Sequence, residues 1–312
     1  MSPSCYNVHK VRGVFVVSRR KTVSILVLTI FFAMSLRFLT VNAVVLPGAS
    51  APASMEVVSP GTSNGVYDGI LMKMTDLSYA NWNGDVGDTI GFLVSHHAIP
   101  PGVRAQVHNV NTRYWHLSQR AASNFYFSDL QNWKIIGVQD DESTYGFYAV
   151  AFQRKNTVVI SFRGTDDVQD IVSDTSIYLN LGVADAEVSL AKQFTASILH
   201  HFPPSKYHVI FSGHSIGGWM AQQMYLFEQQ ERVKTDAVVF NSIGTRFQPT
   251  MTGISDVKDY HMSGDVFSHF GTSLGQEIDV PCPNPNESMY NIHQMFNFYE
   301  YFYPVSKKGQ SS

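Results

Sequence analysis

The run Gly213-His214-Ser215-Ile216-Gly217 fits G-x-S-x-G, the spacing that lifts a serine hydroxyl out of a sharp turn between a strand and a helix. The flanking glycines are needed because side chains there would collide with the strand and helix they join. A neutral serine is a poor nucleophile, so attack on a carbonyl also needs a base and an acid to orient it, later in the chain in the order acid, then histidine. Asp265, beside Gly264 at the tip of an expected strand Val257–Met262, is the acid this reading selects. Asp256 and Asp259 fall at or before the start of that strand, and Asp279 lies in a proline-bounded loop. His293 is the expected base, because His269 is too close to Asp265 along the chain and His261 lies inside the strand. A developing oxyanion needs two donors. The backbone N–H of Ile216 is one, and Thr165, ending the strand-like run Val158–Phe162 through Arg163-Gly164, is expected to supply the second. His214 is expected to point away from the nucleophile. The doublets His96-His97 and His200-His201 have no metal-ligand companions at useful spacing, and neither a zinc pattern nor a CxxC pair occurs. No metal or organic cofactor is called for.

Alternating elements must position these groups. Apolar residues at helical spacing run from Tyr67 to Ala80 and stop at Asn81-Trp82-Asn83-Gly84. Residues 85–134 show weak periodicity and are assigned only helices and loops around Ala105–Ala122. Three β-rich runs follow, Lys134–Val138, Gly146–Phe152 and Thr157–Phe162. Then come a helix Val183–Phe202 stopped by Pro203-Pro204, a strand Tyr207–Ser212, the helix after the serine, and strands Asp236–Ser242 and Val257–Met262. Helix alternating with buried strand implies an α/β fold with a mostly parallel central sheet and helices on both faces.

Composition limits the rest. With 44% hydrophobic and 15% charged residues among 312, the chain can bury a large core, which excludes disorder and coiled coil. Residues 1–43 hold six basic residues and no acidic one, leaving 16 basic against 25 acidic beyond them. An acidic body argues against nucleic acid as a partner. The apolar stretch Val23–Leu36 behind Arg19-Arg20-Lys21 matches a cleavable signal peptide better than a span of ~20 residues, with an uncleaved membrane anchor over the same residues 1–43 as the alternative. Either places the body across the membrane, secreted or extracytoplasmic. Residues 44–65, rich in Pro, Ser, Ala and Gly, read as a tether, and the domain is expected over 66–312. Cys5 and Cys282 leave no intramolecular disulfide if the leader is removed, and Asn286-Glu287-Ser288 is a sequon.

The paired runs Val158–Thr165 and Gly213–Gly218 resemble the class 3 lipases, a serine esterase branch of the α/β-hydrolases, and the likeness extends over about Trp133 to His293. That resemblance implies hydrolysis of carboxylic esters of lipids, as a triacylglycerol lipase or phospholipase A1-like enzyme, through Ser215, His293 and Asp265 and an acyl-enzyme. It also implies an oxyanion donor at Thr165 and a short lid over Asp166–Ile177 above an acyl pocket. The substrate would be a lipid or ester, met at a membrane or lipid-droplet surface. Two other readings stand beside it: a catalytically inactive lipid-binding protein on the same scaffold, and an acyltransferase using the same triad. Oligomeric state is not legible.

Overall fold

A computed structural model describes residues 61–164, 184–245 and 253–305. The residues read as a leader, most of those read as a tether, Thr165 with the expected lid segment, and the last residues of the chain lie outside them.

The first described elements are two short antiparallel strands, β1 (Thr62–Ser63) and β2 (Val66–Tyr67). Asn64 and Gly65 between them both have positive φ, 47° and 76°. That pairing of two left-handed residues is what a two-residue hairpin with the right twist demands, and Asn-Gly supplies it at least cost. The hairpin thus uses the end of the stretch read as a tether. Lys258 donates to the Thr62 carbonyl at 2.9 Å and pairs with Asp68 at 2.7 Å, tying the hairpin to the body.

Helix α1 (Asp68–Leu77) follows directly, and all ten of its residues are buried. After it come α2 (Ile90–Ser95), α3 (Pro101–Val110) with a π turn Asn111–Trp115, and α4 (Gln119–Phe127). Pro100-Pro101 starts α3 because proline is tolerated where the first N–H has no partner. The sheet begins with β3 (Lys134–Asp141), passes a single turn α5 (Glu142–Tyr145), and continues with β4 (Phe147–Arg154) and β5 (Thr157–Phe162). Helix α6 (Ala184–His201), β6 (His208–His214), α7 (Ile216–Gln230) and β7 (Thr235–Phe240) alternate next. The described chain ends with β8 (Ile254–Met262), β9 (Gly275–Val280) and the short helices α8 (Met289–His293) and α9 (Phe298–Phe302).

The seven strands lie in chain order, β3 to β9. The first three pair antiparallel and β5 through β9 pair parallel. Alternate residues of each strand enter different cores, as the two-residue period requires. Val150, Phe152, Val159, Ile210 and Val238 pack towards α1 to α4 and α9, whereas Ala149, Ile160, Phe211 and Val239 pack towards α6 and α7. Helices therefore cover both faces, the arrangement of an α/β-hydrolase. No described helix is long and apolar enough to cross a membrane.

The buried helix α1 carries polar groups, and each is partnered, since an unpaired one would cost about 1–3 kcal/mol. Lys73 donates to the Tyr126 carbonyl and pairs with Asp129 at 3.0 Å. Asp76 accepts from the hydroxyls of Tyr299 at 2.7 Å and Tyr126 at 3.4 Å. Burial pushes the Asp76 carboxyl up to about 6, and the two tyrosine hydroxyls only partly offset it. Because the folded value lies above that of the unfolded chain, Asp76 contributes stability that is complete below about pH 4 and lost as pH rises through about 6, up to ~3 kcal/mol. Asp76→Asn, which stays neutral, is therefore expected to remove a share of the stability that wild type gains between pH 7 and pH 5. Urea midpoints at the two pH values check this, and equal pH slopes for the two proteins would refute it.

Candidate active site

The carboxyl ends of the parallel strands gather the groups of interest. Strand β6 ends at His214 and α7 begins at Ile216, so Ser215 alone makes the turn, with φ 57° and ψ −124°. A non-glycine residue in that region is strained by about 1–3 kcal/mol and needs its surroundings to hold it. The backbone does so: Ser215 N–H donates to the Phe240 carbonyl at 3.2 Å, and its own carbonyl accepts from Trp219 and Ile243 N–H. The glycines make the turn sterically feasible. A Cβ on Gly213 would lie 2.1 Å from the Gly217 carbonyl oxygen, and one on Gly217 would lie 2.2 Å from that of Phe162.

Asp265 follows β8 in a turn through Gly264, whose φ is 90°. Its side chain accepts from the N–H of Phe267 at 3.2 Å and of Ser268 at 3.3 Å, and faces His293 Nδ1 at 2.9 Å. Asp265 and His293 are both fully buried. Burial alone would raise the Asp265 carboxyl, but the neighbouring His293 charge and hydrogen bond, with the Phe267 N–H, outweigh it and hold the carboxyl below the usual range. The acid is thus ionised at neutral pH, and it fixes the proton of His293 on Nδ1, leaving Nε2 as an acceptor. Among the described residues His293 Nε2 and Ser215 Oγ are buried and without a hydrogen-bond partner.

His293 is held from behind as well. Its carbonyl accepts from His214 Nε2 at 2.7 Å and from Asn241 Nδ2 at 3.0 Å, and the His214 ring lies against its own with centroids 4.6 Å apart. Burial first, then the adjacent His293, lower the His214 value to about 3, so its ring is neutral. With Nε2–H directed at a carbonyl, Nδ1 must accept, and the Tyr79 hydroxyl donates to it at 2.7 Å. Asn241 also accepts from Met262 N–H at 2.7 Å, so one amide joins the ends of β7 and β8 to the histidine.

Of the expected residues, Asp265 and His293 are brought together, and Ser215 sits next in the chain to the histidine packed on His293. Ile216 opens α7, where the first backbone N–H groups of a helix have no partner within it. Thr165 lies outside the described residues. Its predecessor Gly164 comes within reach of the turn: a Cβ there would meet the His214 carbonyl at 2.6 Å and Ser215 Cβ at 3.3 Å. The His214 ring, expected to point away from the nucleophile, lies against the ring of His293. Tyr79 and Asn241 were not singled out from sequence. Asn241 carries a positional signal, the first residue past the carboxyl end of a parallel strand. A cavity of about 190 Å³ reaches His293 and His214 and is lined also by Asp76, Tyr79, Gln106 and Phe296. Among the described residues no group of three His, Cys, Asp or Glu is placed to hold a metal ion.

A family model described as phospholipase-like, the Tle-like phospholipase domain, matches residues 103–280, more than half of the chain. The chain belongs to this family. The match spans Thr165, Ser215, Ile216 and Asp265 and ends before His293. No curated protein matches the chain. Among solved structures it is similar to a fungal lipase in an inhibitor complex, at 17% identity and TM-score 0.41, over 64% of this chain and 72% of that one. It is also similar to the Lip2 lipase of Yarrowia lipolytica, at 12% identity and TM-score 0.44, over 72% and 83%. A third is the mono- and diacylglycerol lipase of Aspergillus oryzae, at 10% and 0.46, over 63% and 70%. Family and architecture together make this phospholipase-like protein a lipase-like α/β-hydrolase.

Proposed function

We propose that this phospholipase-like protein is a serine hydrolase that cleaves a carboxylic ester of a glycerolipid, phospholipid or acylglycerol, through an acyl-enzyme. The reading is carried by one observation: a buried Asp265 bonded at 2.9 Å to His293, with His293 Nε2 and the hydroxyl of the strained Ser215 both buried and without a hydrogen-bond partner among the described residues. In this reading His293 Nε2 takes the proton of Ser215 as its oxygen attacks the ester carbonyl, and Asp265 stabilises the imidazolium formed. The backbone N–H of Ile216 and the donor at Thr165 bind the tetrahedral oxyanion, each contributing about 2.7–4 kcal/mol to the barrier reduction. The same proton then passes to the departing alcohol. Water attacks the acyl-serine with His293 as base, releasing the fatty acid and restoring the hydroxyl.

Tyr79, His214 and Asn241 act as positioning residues: they hold the carbonyl and ring plane of His293 so that Nε2 stays aimed at the reacting oxygen. A fluorophosphonate probe tests the assignment, because it phosphonylates only a serine activated in this way. Wild type is expected to be labelled at Ser215 and Ser215→Ala to remain unlabelled. Equal labelling of both, or none of wild type, would overturn the reading.

A further inference from the structure

From Thr89 to Ser128, forty residues, the chain has no Asp or Glu, yet it holds Arg104, Arg113, Arg120 and four histidines. This block lies in a body where acidic residues otherwise exceed basic ones. It folds as α2, α3, the π turn and α4, which enclose an open groove of about 970 Å³. The titratable groups lining that groove are His97, Arg104, His108 and Arg120, with no carboxylate, above an apolar floor of Val94 and Phe127. Arg113 is spent on Glu287 at 3.1 Å, but among the described residues neither Arg104 nor Arg120 has an acidic partner. Phe92, 46% exposed, stands on the same α2 with its ring 4.0 Å from that of His96.

We propose that this groove is the face by which the protein docks on an anionic phospholipid bilayer. Phosphate groups of the lipid headgroups would lie between Arg104 and Arg120, and Phe92 would enter the boundary between headgroups and chains. Opposite charge draws the groove to the surface while the acidic remainder is repelled, so attraction and orientation come from one distribution. A groove this open, with an apolar floor and an exposed aromatic on the same helix, suits a sheet of headgroups better than a single ion. The choice of a lipid surface as partner rests on the hydrolase reading above, whose substrate is held in one. Helix α3 links the two sites: Arg104, Val107 and His108 line the groove, whereas Gln106, Asn109 and Val110 line the cavity that reaches His293. These sets project from opposite sides of one helix, about 10 Å across.

The test uses the full chain with Ser215→Ala, so that vesicles are not consumed and the outcome does not depend on whether Ser215 is a nucleophile. Sedimentation with phosphatidylcholine vesicles containing phosphatidylglycerol is expected to be salt-sensitive. It should fall about tenfold or more with Arg104→Glu/Arg120→Glu, less with Arg120→Glu alone, and not with Lys155→Glu/Lys206→Glu at exposed sites elsewhere. Arg104 also donates to the Ile99 carbonyl, so a thermal melt of each variant reports folding. Because the leader carries its own basic residues, Phe92→Trp serves as a local reporter. Its added fluorescence should be quenched by brominated phospholipid, and not when both arginines are reversed. Unchanged sedimentation on reversal in folded variants, or an unquenched Trp at position 92, overturns the proposal. So does displacement by inorganic phosphate at an ionic strength where chloride has no effect, which would make the groove a pocket for free phosphate.

Discussion

Ser215→Ala is expected to lower kcat on p-nitrophenyl esters by about 10⁵–10⁶-fold while leaving the fold intact. The size follows from the proposed mechanism, in which the centre acts as a unit: without the hydroxyl, the base would have nothing to activate, and only the oxyanion donors would remain to accelerate attack by water. The stability side is equally specific. Ser215 Oγ is buried without a hydrogen-bond partner among the described residues, so its removal strands none of their groups, and the alanine is expected to melt at or slightly above the wild-type temperature. Ser215→Gly should go further, because glycine adopts φ 57°, ψ −124° without the penalty a Cβ incurs there. Strain at the nucleophile and rate at the nucleophile would then be two faces of one backbone conformation. Initial rates and calorimetric melting of the three proteins check both halves. A residual rate within tenfold of wild type for the alanine would refute the role of Ser215.

The features that were legible from sequence are those with local causes. The turn at Ser215 was visible because an apolar strand, three glycines and a striped helix lie within twenty residues of one another. Asp265 and His293 followed from chain order and from the tip of a strand, and the structure sets their side chains 2.9 Å apart. Strand β9 gives a weak signal because it is a six-residue edge strand whose successive exposed residues Gln276 and Glu277 break the alternation kept only by Glu277, Ile278, Asp279 and Val280; Asp279, expected in a loop, lies within it. Helices α2 to α4 gave little signal because α3 buries only Val103, Val107 and Val110, too narrow a stripe to stand out among its polar neighbours. Tyr79 and Asn241 meet their partners 135 and 52 residues away, a relation no periodicity encodes. The hairpin Thr62–Tyr67 has little apolar content, so its signal in the sequence is the turn chemistry of Asn64-Gly65.

Asp265→Asn is expected to cost about 10⁴-fold in kcat near neutral pH, and the hydrogen bonds around the carboxylate say why. Oδ1 accepts from the Phe267 N–H, and Oδ2 accepts from the Ser268 N–H and from His293 Nδ1. Both oxygens thus face donors, three in all, a site matched to an anion in which an NH₂ group at either position meets an N–H. Whichever way the substituted amide turns, it presents N–H to N–H. With the NH₂ towards His293, Nδ1 is forced to accept and the proton moves to Nε2, the atom that the proposed mechanism needs free to receive the serine proton. The pH dependence of stability separates this from a merely structural defect. In wild type the depressed Asp265 value contributes stability present above the ordinary carboxylate range and lost as pH falls through the folded value. The variant has no such group, so it should start less stable at pH 7 and lose less between pH 5 and pH 2. Rates at pH 7 and melts across that window measure the two effects on one protein. A variant that keeps wild-type kcat, or an acid limb as steep as wild type's, would show that the carboxylate neither sets the tautomer of His293 nor is held ionised by it.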